Sequence, residues 1–324
     1  MRGANIFKNA NVLVAGGSGF IGANLILRLL VLGCRIRATY HHTPPVIKDD
    51  RIEYVQADLI SKEDCKRVAE GIDYVFMCAA NTSGAAVMAL TPLAHVTPNV
   101  VMNAYIIEAS YEAKVKKFIF ISSSAAYPPS ADRPVCEDEM FLGDPPEIYY
   151  SVGWMKRYAE ILCKIYALKI KNPMPCVVVR PSNMYGPYDK YDFGKSHVTA
   201  ALLRRVVERH DPLEVWGTGD DVRDLLYIDD FIDGLILAAE RVETYGAVNI
   251  ASGKGYSVKQ ILQTLQEVDG YTNARVLFDP SKPSTIPIRL IDTQQAETLL
   301  GFKAKTDLVE GMRKAVRWYR DNIV

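Results

Sequence analysis

The stretch that most constrains this chain is Asn11-Val12-Leu13-Val14-Ala15-Gly16-Gly17-Ser18-Gly19-Phe20-Ile21-Gly22, where a short apolar run passes directly into spaced glycines. The apolar run reads as a buried strand, and Ile21, Leu25, Leu29 and Leu32 then recur at helical spacing. Strand, glycine turn and helix in that order form a cradle for a dinucleotide. Gly16 permits the tight turn out of the strand, Gly19 lets the backbone approach a pyrophosphate, and Gly22 lets the helix pack on the sheet. The helix, about Phe20 to Leu32, points its first N–H groups at the phosphates, so Phe20 and Ile21 join the glycines as cofactor contacts.

A chain of 324 residues, 49% hydrophobic, has enough apolar surface for a large α/β domain with a smaller lobe. Its 38 basic and 38 acidic residues cancel without a dense basic run, which excludes the electrostatic footprint of nucleic acid or anionic membrane as a partner. Cys34, Cys65, Cys78, Cys136, Cys163 and Cys176 are scattered without metal-ligand spacing, so reduced core thiols are expected rather than a disulfide framework or a zinc site. Met1 to Asn5 leads into the first strand and no later apolar run reaches spanning length. A cytoplasmic protein, neither exported nor anchored, is expected.

After Gly33, Arg35 to Tyr40 reads as a second strand. An NAD site usually places a carboxylate near its end to accept from the ribose 2′-OH. Here Tyr40 stands there, with Arg37, His41 and His42 nearby, which tilts the expectation from NAD towards NADP. Ile52 to Gln56 is a third strand, after which Asp58 and Leu59 are placed to meet the adenine, although Asp58 could instead cap the helix starting near Ser61. Tyr74 to Cys78 is a fourth strand ending in Ala79-Ala80, small enough for close approach of a cofactor. Phe118 to Ile121 is the fifth, ending in Ser122-Ser123-Ser124, and Cys176 to Arg180 is the sixth, before Pro181 and Asn183. Alternating strands and helices predict an α/β fold with a doubly wound parallel sheet of Rossmann type. Residues 1–180 form the dinucleotide domain, with 218–252 returning to it, and 181–217 and 253–324 build a smaller mixed C-terminal lobe that binds substrate.

Ser122-Ser123-Ser124-x-x-Tyr127, Arg180-Pro181-x-Asn183-x-Tyr185-Gly186-Pro187, Ser196-His197-Val198, Trp216-Gly217-Thr218-Gly219-x-x-x-Arg223-Asp224, Lys282-Pro283 and Leu300-Gly301-Phe302 follow in order. With them, nearly the whole chain resembles the extended short-chain dehydrogenases/reductases that act on nucleotide sugars, the epimerase/dehydratase group, and within it the GDP-L-fucose synthase branch. The resemblance implies a homodimer pairing through helices near 93–114 and 150–170. It implies hydride transfer at C4 of a GDP-linked hexose or deoxyhexose, with NADP or NAD. It also implies substrate contacts from Ser124, Asn183, His197, Arg205, Arg223 and Arg289, arginines suiting a diphosphate because of the planar guanidinium. Ser123 is the implied catalytic hydroxyl and Lys156 the lysine of the family's YxxxK pair, holding the nicotinamide ribose.

Two departures bear on the chemistry. The tyrosine of YxxxK falls on Val152, which carries no exchangeable proton. Tyr149, three residues earlier, is the first candidate to replace it and Tyr150 the second, unless both are packing aromatics at a helix start. The cysteine that accompanies the family's histidine in epimerisation falls on Ala125, leaving His197 alone to move a proton or hold a sugar hydroxyl. An enzyme with a rearranged proton route is therefore expected, alongside the alternative of a catalytically impaired binder of NAD(P) and a nucleotide sugar.

Overall fold

In a computed structural model, the described residues are 5–81, 93–130, 133–193, 196–282 and 286–324. Seven strands lie in one all-parallel sheet: β1 Asn11–Ala15, β2 Arg35–Tyr40, β3 Ile52–Gln56, β4 Tyr74–Met77, β5 Lys117–Ile121, β6 Cys176–Pro181 and β10 Tyr245–Ile250, ordered β10-β6-β5-β4-β1-β2-β3. Helices cover both faces, which explains why the strands are nearly continuous apolar runs. Along β1, Val12 and Val14 enter one core with Leu25 and Leu29 of α1 (Phe20–Leu32), whereas Leu13 and Ala15 enter the other with Cys65 and Val68 of α2 (Lys62–Ala69). The period of two along a strand thus divides one hydrophobic run between two cores.

The helix α3 (Leu93–Glu112) and α4 (Tyr150–Leu168) pack together beside β5. A smaller sheet joins β7 (Asn183–Tyr185), β9 (Val222–Tyr227), β11 (Gly255–Ser257) and β13 (Ile288–Arg289), and β8 (Leu213–Trp216) pairs with β12 (Val276–Asp279). Helices α5 (Val198–Val207), α7 (Val258–Asp269) and α8 (Leu308–Asn322) pack around these strands. Within 218–252, β9 belongs to the smaller sheet, while α6 (Ile228–Arg241) and β10 go back to the large one. Pro283 lies outside the described residues.

The spacing reads α1 and the first three strands with their observed bounds, and the apolar period from Val198 to Val207 likewise predicts α5. Two local expectations need correction. Ser61 caps α2, its hydroxyl accepting from Asp64 N–H at 3.2 Å, while the Asp58 carboxylate instead accepts from Ile60 N–H at 3.1 Å in a tight turn. β4 ends at Met77, because Cys78 N–H already bonds back to Ala15 and Phe76.

The strand order reverses between β1 and β4, and in sheets of this kind ligands bind at the carboxyl ends of the strands at that switch. Gly16 there has φ of +89°, and a β-carbon on it would lie 2.7 Å from the Ala79 backbone. Gly22 is packed against the turn itself: an added β-carbon would meet Gly16 O at 2.2 Å. Gly22→Ala is therefore expected to lower unfolding stability by about 2 kcal/mol or more, measured by urea denaturation.

Candidate active site

The glycine turn is held from β2. Gly16 N–H donates to the Thr39 hydroxyl at 2.8 Å and Gly17 N–H to the Thr39 carbonyl at 2.7 Å. Gly19 is the N-cap of α1, with no side-chain cap and no acid in the first turn. The helix start therefore keeps its positive end uncompensated, and a β-carbon on Gly19 would touch only Gly16 O at 3.4 Å. These features fit a dinucleotide pyrophosphate. Further along the same cleft lie Ala79 and Ala80 after β4, both half-buried, and Pro181 at the end of β6, buried opposite Ile250.

At the ribose end, Tyr40 closes β2 and the exposed His41 ring stacks on His42 with centroids 3.7 Å apart. His41 Nε2 lies 3.9 Å from the Asp58 carboxylate, with Leu59 buried beside it. Arg37 is not available for a 2′-phosphate, contrary to expectation. Its guanidinium bonds Glu53 at 2.8 Å and the carbonyls of Val68 and Glu70 at 3.1 and 2.8 Å, anchoring the end of α2.

The catalytic candidates gather where α4 meets the end of β5. Gly153 makes this contact possible, since a β-carbon there would sit 2.5 Å from the Pro145 ring and 3.4 Å from Ala126 Cα. Ser123 Oγ accepts from Ala125 N–H at 3.1 Å, which leaves its own O–H free to donate, and Ser124 is buried next to it. Lys156 Nζ donates to the Ile121 carbonyl at 2.7 Å and lies 4.9 Å from the Phe120 ring centre. Burial pulls the Lys156 pKa down to about 8, against the opposing pull of Glu160 and Cys78. Burial in turn pushes the Cys78 thiol up, so it is a poor nucleophile.

Val152 is half-buried, one turn before Lys156. Tyr149 is the N-cap residue of α4 at the end of a short 3₁₀ turn, Glu147–Tyr149, so the regular helix does not yet run there. It is half-buried and within electrostatic reach of Arg289, on the side of the C-terminal lobe. Tyr150 has 45% of its surface exposed, and its ring meets that of Trp154 edge-on with centroids 6.5 Å apart.

Beneath these groups lies a buried polar network. Glu160 receives the Ser122 hydroxyl and two bonds from Arg180, Nη2 at 2.6 Å and Nε at 3.1 Å. Arg180 also reaches Tyr127 Oη at 2.9 Å, and Tyr127 donates to Asn249 at 2.7 Å. Tyr127 and Arg180 stand in the sequence motifs, but nothing in the order of residues announces Asn249 or Thr39, which act from strands distant in sequence.

The arginines differ in how they are held. Arg204 bonds Glu208 at 3.1 Å and the Tyr191 carbonyl at 3.0 Å, whereas Arg205 lies over the Phe193 ring at 4.7 Å without a hydrogen-bonded partner among the described residues. Arg223 bonds Asp221 at 3.0 Å and the Ile286 carbonyl. Arg289 donates to the Pro128 and Tyr127 carbonyls at 3.0 and 3.4 Å, while its buried Nε has no partner and burial brings its pKa to about 10. Asn183 is exposed on β7.

His197 is the N-cap residue of α5 and makes no cap bond. The residue is exposed, yet desolvation by the surrounding protein, then the Lys190 charge, lowers its pKa. Asp189, eight residues earlier, went unread in the sequence: burial raises its carboxyl to about 7 against the Lys190 N–H bond and charge.

The pattern of the NAD dependent epimerase/dehydratase family matches residues 12–251, and the chain belongs to that family. GDP-L-fucose synthase of Sinorhizobium fredii is 28% identical over 327 residues, covering 98% of this chain and 98% of the relative. The structure of UDP-glucose 4-epimerase with UDP-glucose from Thermotoga maritima superposes with a TM-score of 0.87 at 26% identity, over 97% of this chain and 100% of that one. A variant UDP-glucuronic acid 4-epimerase from Bacillus cereus, in complex with UDP-4-deoxy-4-fluoro-glucuronic acid and NAD, gives 0.84 at 26% identity, over 96% and 99%. The fold and motifs are thus those of extended nucleotide-sugar epimerases and reductases.

Removing one side of the Arg180–Glu160 pair leaves a charge buried alone. Glu160→Ala is expected to cost about 3–5 kcal/mol in chemical denaturation, more than a surface pair such as Arg317–Asp321 would.

Proposed function

We propose that this protein is an NAD(P)-dependent nucleotide-sugar epimerase/reductase or dehydrogenase, acting at C4 of a GDP-linked hexose or deoxyhexose. The observation that carries this is Lys156: a buried ammonium whose main-chain bond is to Ile121 at the end of β5, two residues before Ser123, whose own O–H is left to donate. The GDP-sugar follows the likeness to GDP-L-fucose synthase. The bound dinucleotide would accept or supply the hydride. The glycine turn and the start of α1 hold its pyrophosphate, Asp58 and Leu59 the adenine, and Ala79, Ala80, Pro181 and Lys156 the nicotinamide half. NADP is favoured over NAD because Tyr40 puts no carboxylate at the end of β2, which leaves the His41 and His42 rings to meet a 2′-phosphate once Arg37 is excluded.

Ser123 donates a hydrogen bond to the C4 oxygen, and Tyr149 exchanges the proton in place of the absent phenol at Val152. His197 moves a proton beside the keto carbon or holds a sugar hydroxyl. Arg205, Arg223 and Arg289 bind the diphosphate, with Ser124 and Asn183 on the sugar side. The cofactor sits in the domain of 1–180 with 228–252, and the sugar nucleotide in the cleft against 181–227, whose β9 joins the smaller sheet, and 253–324. Val152 favours a second reading, in which both ligands bind without turnover.

Turnover of GDP-4-keto-6-deoxymannose with NADPH and with NADH tests this. Activity in the parent should fall at least 100-fold in Tyr149→Phe and in Lys156→Ala. An inert parent that gains activity as Val152→Tyr supports the binding role, and inertness of all variants despite cofactor binding refutes the GDP-deoxyhexose substrate. The Lys156 charge is present below about pH 8 and lost above it, so cofactor affinity should fall as pH rises through about 8, and Lys156→Ala should flatten that fall.

A cytoplasmic homodimer belongs to the same proposal. No helix among the described residues is long and apolar enough to cross a membrane. On α4, Trp154, Tyr158, Ile161, Ile165 and Leu168 are exposed at helical spacing, a stripe that a second copy would cover. Ile161→Asp with Ile165→Asp should halve the mass measured by light scattering.

A further inference from the structure

The helix that opens the dinucleotide cradle carries one polar side chain in its buried face. Asn24 of α1 is 7% exposed, between Ala23 and Leu25 and followed by Ile26, all fully buried. An amide in such a place is costly unless it is hydrogen-bonded. Its Nδ2 has two N–H groups, and both are engaged: one with the Phe20 carbonyl at 2.8 Å, the other with the Pro187 carbonyl at 2.9 Å. Phe20 is the first residue of α1, directly after the Gly19 cap. Pro187 begins the segment that runs through Asp189 and His197 into α5 and Arg205. One amide thus joins the phosphate end of the cradle to the root of the substrate segment, across 163 residues of sequence.

That root has a backbone held out of its ordinary range. Gly186 has φ of +144°, with a β-carbon position only 2.6 Å from Ile228 Cγ2, and Tyr188 has φ of +64°. A non-glycine residue at positive φ persists where its surroundings fix it. Among the described residues, the bonds that hold it include Asn24 to Pro187, Tyr191 Oη to the Gly186 carbonyl at 3.0 Å, and Asp189 N–H to the same carbonyl at 3.4 Å. Of these, only the first reaches the cofactor helix.

We infer that Asn24 is a positioning residue that couples the two halves of the site, so that a dinucleotide on α1 strengthens binding of a nucleoside diphosphate by the segment from Pro187 to Arg205. The inference rests on the nucleotide-sugar reading above. An anion at the helix start fixes the first turn, the turn fixes the Phe20 carbonyl, and the shared amide fixes Pro187. Coupling of this kind is reciprocal: GDP must tighten dinucleotide binding by the same factor.

The test is calorimetric titration of GDP, and separately of UDP, onto the full chain with and without saturating NADP, for the parent, Asn24→Leu and the nearly isosteric Asn24→Asp. The parent is expected to bind GDP about tenfold more tightly with NADP present, within the usual span of such couplings. In either folded variant the ratio should fall to within about twofold of one, while affinity for NADP alone changes less than about threefold. A parent ratio of one, or a variant that keeps the parent's ratio, overturns the inference. So does equal weakening of NADP and GDP with the ratio unchanged, the signature of a merely structural amide. A parent that binds neither GDP nor UDP in either condition removes the nucleotide-sugar reading itself, and the coupling with it.

Discussion

The ion pair between Arg180 and Glu160, with side chains only 3% and 0% exposed, sits where every part of the candidate site meets. Glu160 belongs to α4, Arg180 to β6, and through Ser122 and Tyr127 the pair also grips both ends of the turn that follows β5. Asn249 extends it to β10, where its N–H is in turn accepted by Glu137 at 2.8 Å. Such a pair gains little over a well-packed apolar substitute, but it fixes one arrangement because every partner must be present. The relative positions of Ser123 and Lys156 follow from that arrangement, since one lies beside Ser122 and the other one turn before Glu160.

Charge and burial are balanced differently across the cleft. Arg180 is fully compensated, and Lys156 has a carboxylate on its own helix to retain part of its charge. Among the described residues Arg205 has a ring face and the more distant Glu214 charge but no hydrogen-bonded partner, while Arg289 has carbonyls and an Nε without one. Guanidiniums so weakly satisfied in partly desolvated positions gain most from an incoming anion. The site is most tightly organised where the protein must position its own groups and least satisfied where a ligand would complete it.

Much of this was legible in the sequence because the determinants are local. The strand, turn and helix from Asn11 to Leu32 follow from apolar run, glycine spacing and helical period, and the parallel sheet follows from their repetition. The bounds of α5 could be read because its apolar residues keep one face. The contacts that assign side chains to tasks are long-range, and periodicity carries no trace of them. Arg37 resembles a phosphate ligand in sequence, and only the fold reveals Glu53 and the end of α2 around it. Tyr149 and Tyr150 are adjacent and chemically alike, yet at the helix start Tyr149 is half-buried within electrostatic reach of Arg289 and Tyr150 is exposed beside Trp154. Asn24 interrupts an apolar helix face without any local sign of Pro187.

Thr39 has a consequence for how the cofactor site can change. Its hydroxyl and carbonyl index the glycine turn to β2, and the very next residue, Tyr40, on the proposed reading begins the rim at which the two dinucleotides differ. Grip and discrimination are therefore adjacent in sequence but mechanically separable, because the grip depends on a side chain that points into the turn. Substitutions from position 40 outward can exchange one cofactor for the other without loosening the phosphate site, so that drift in cofactor preference among related chains can occur on a fixed scaffold.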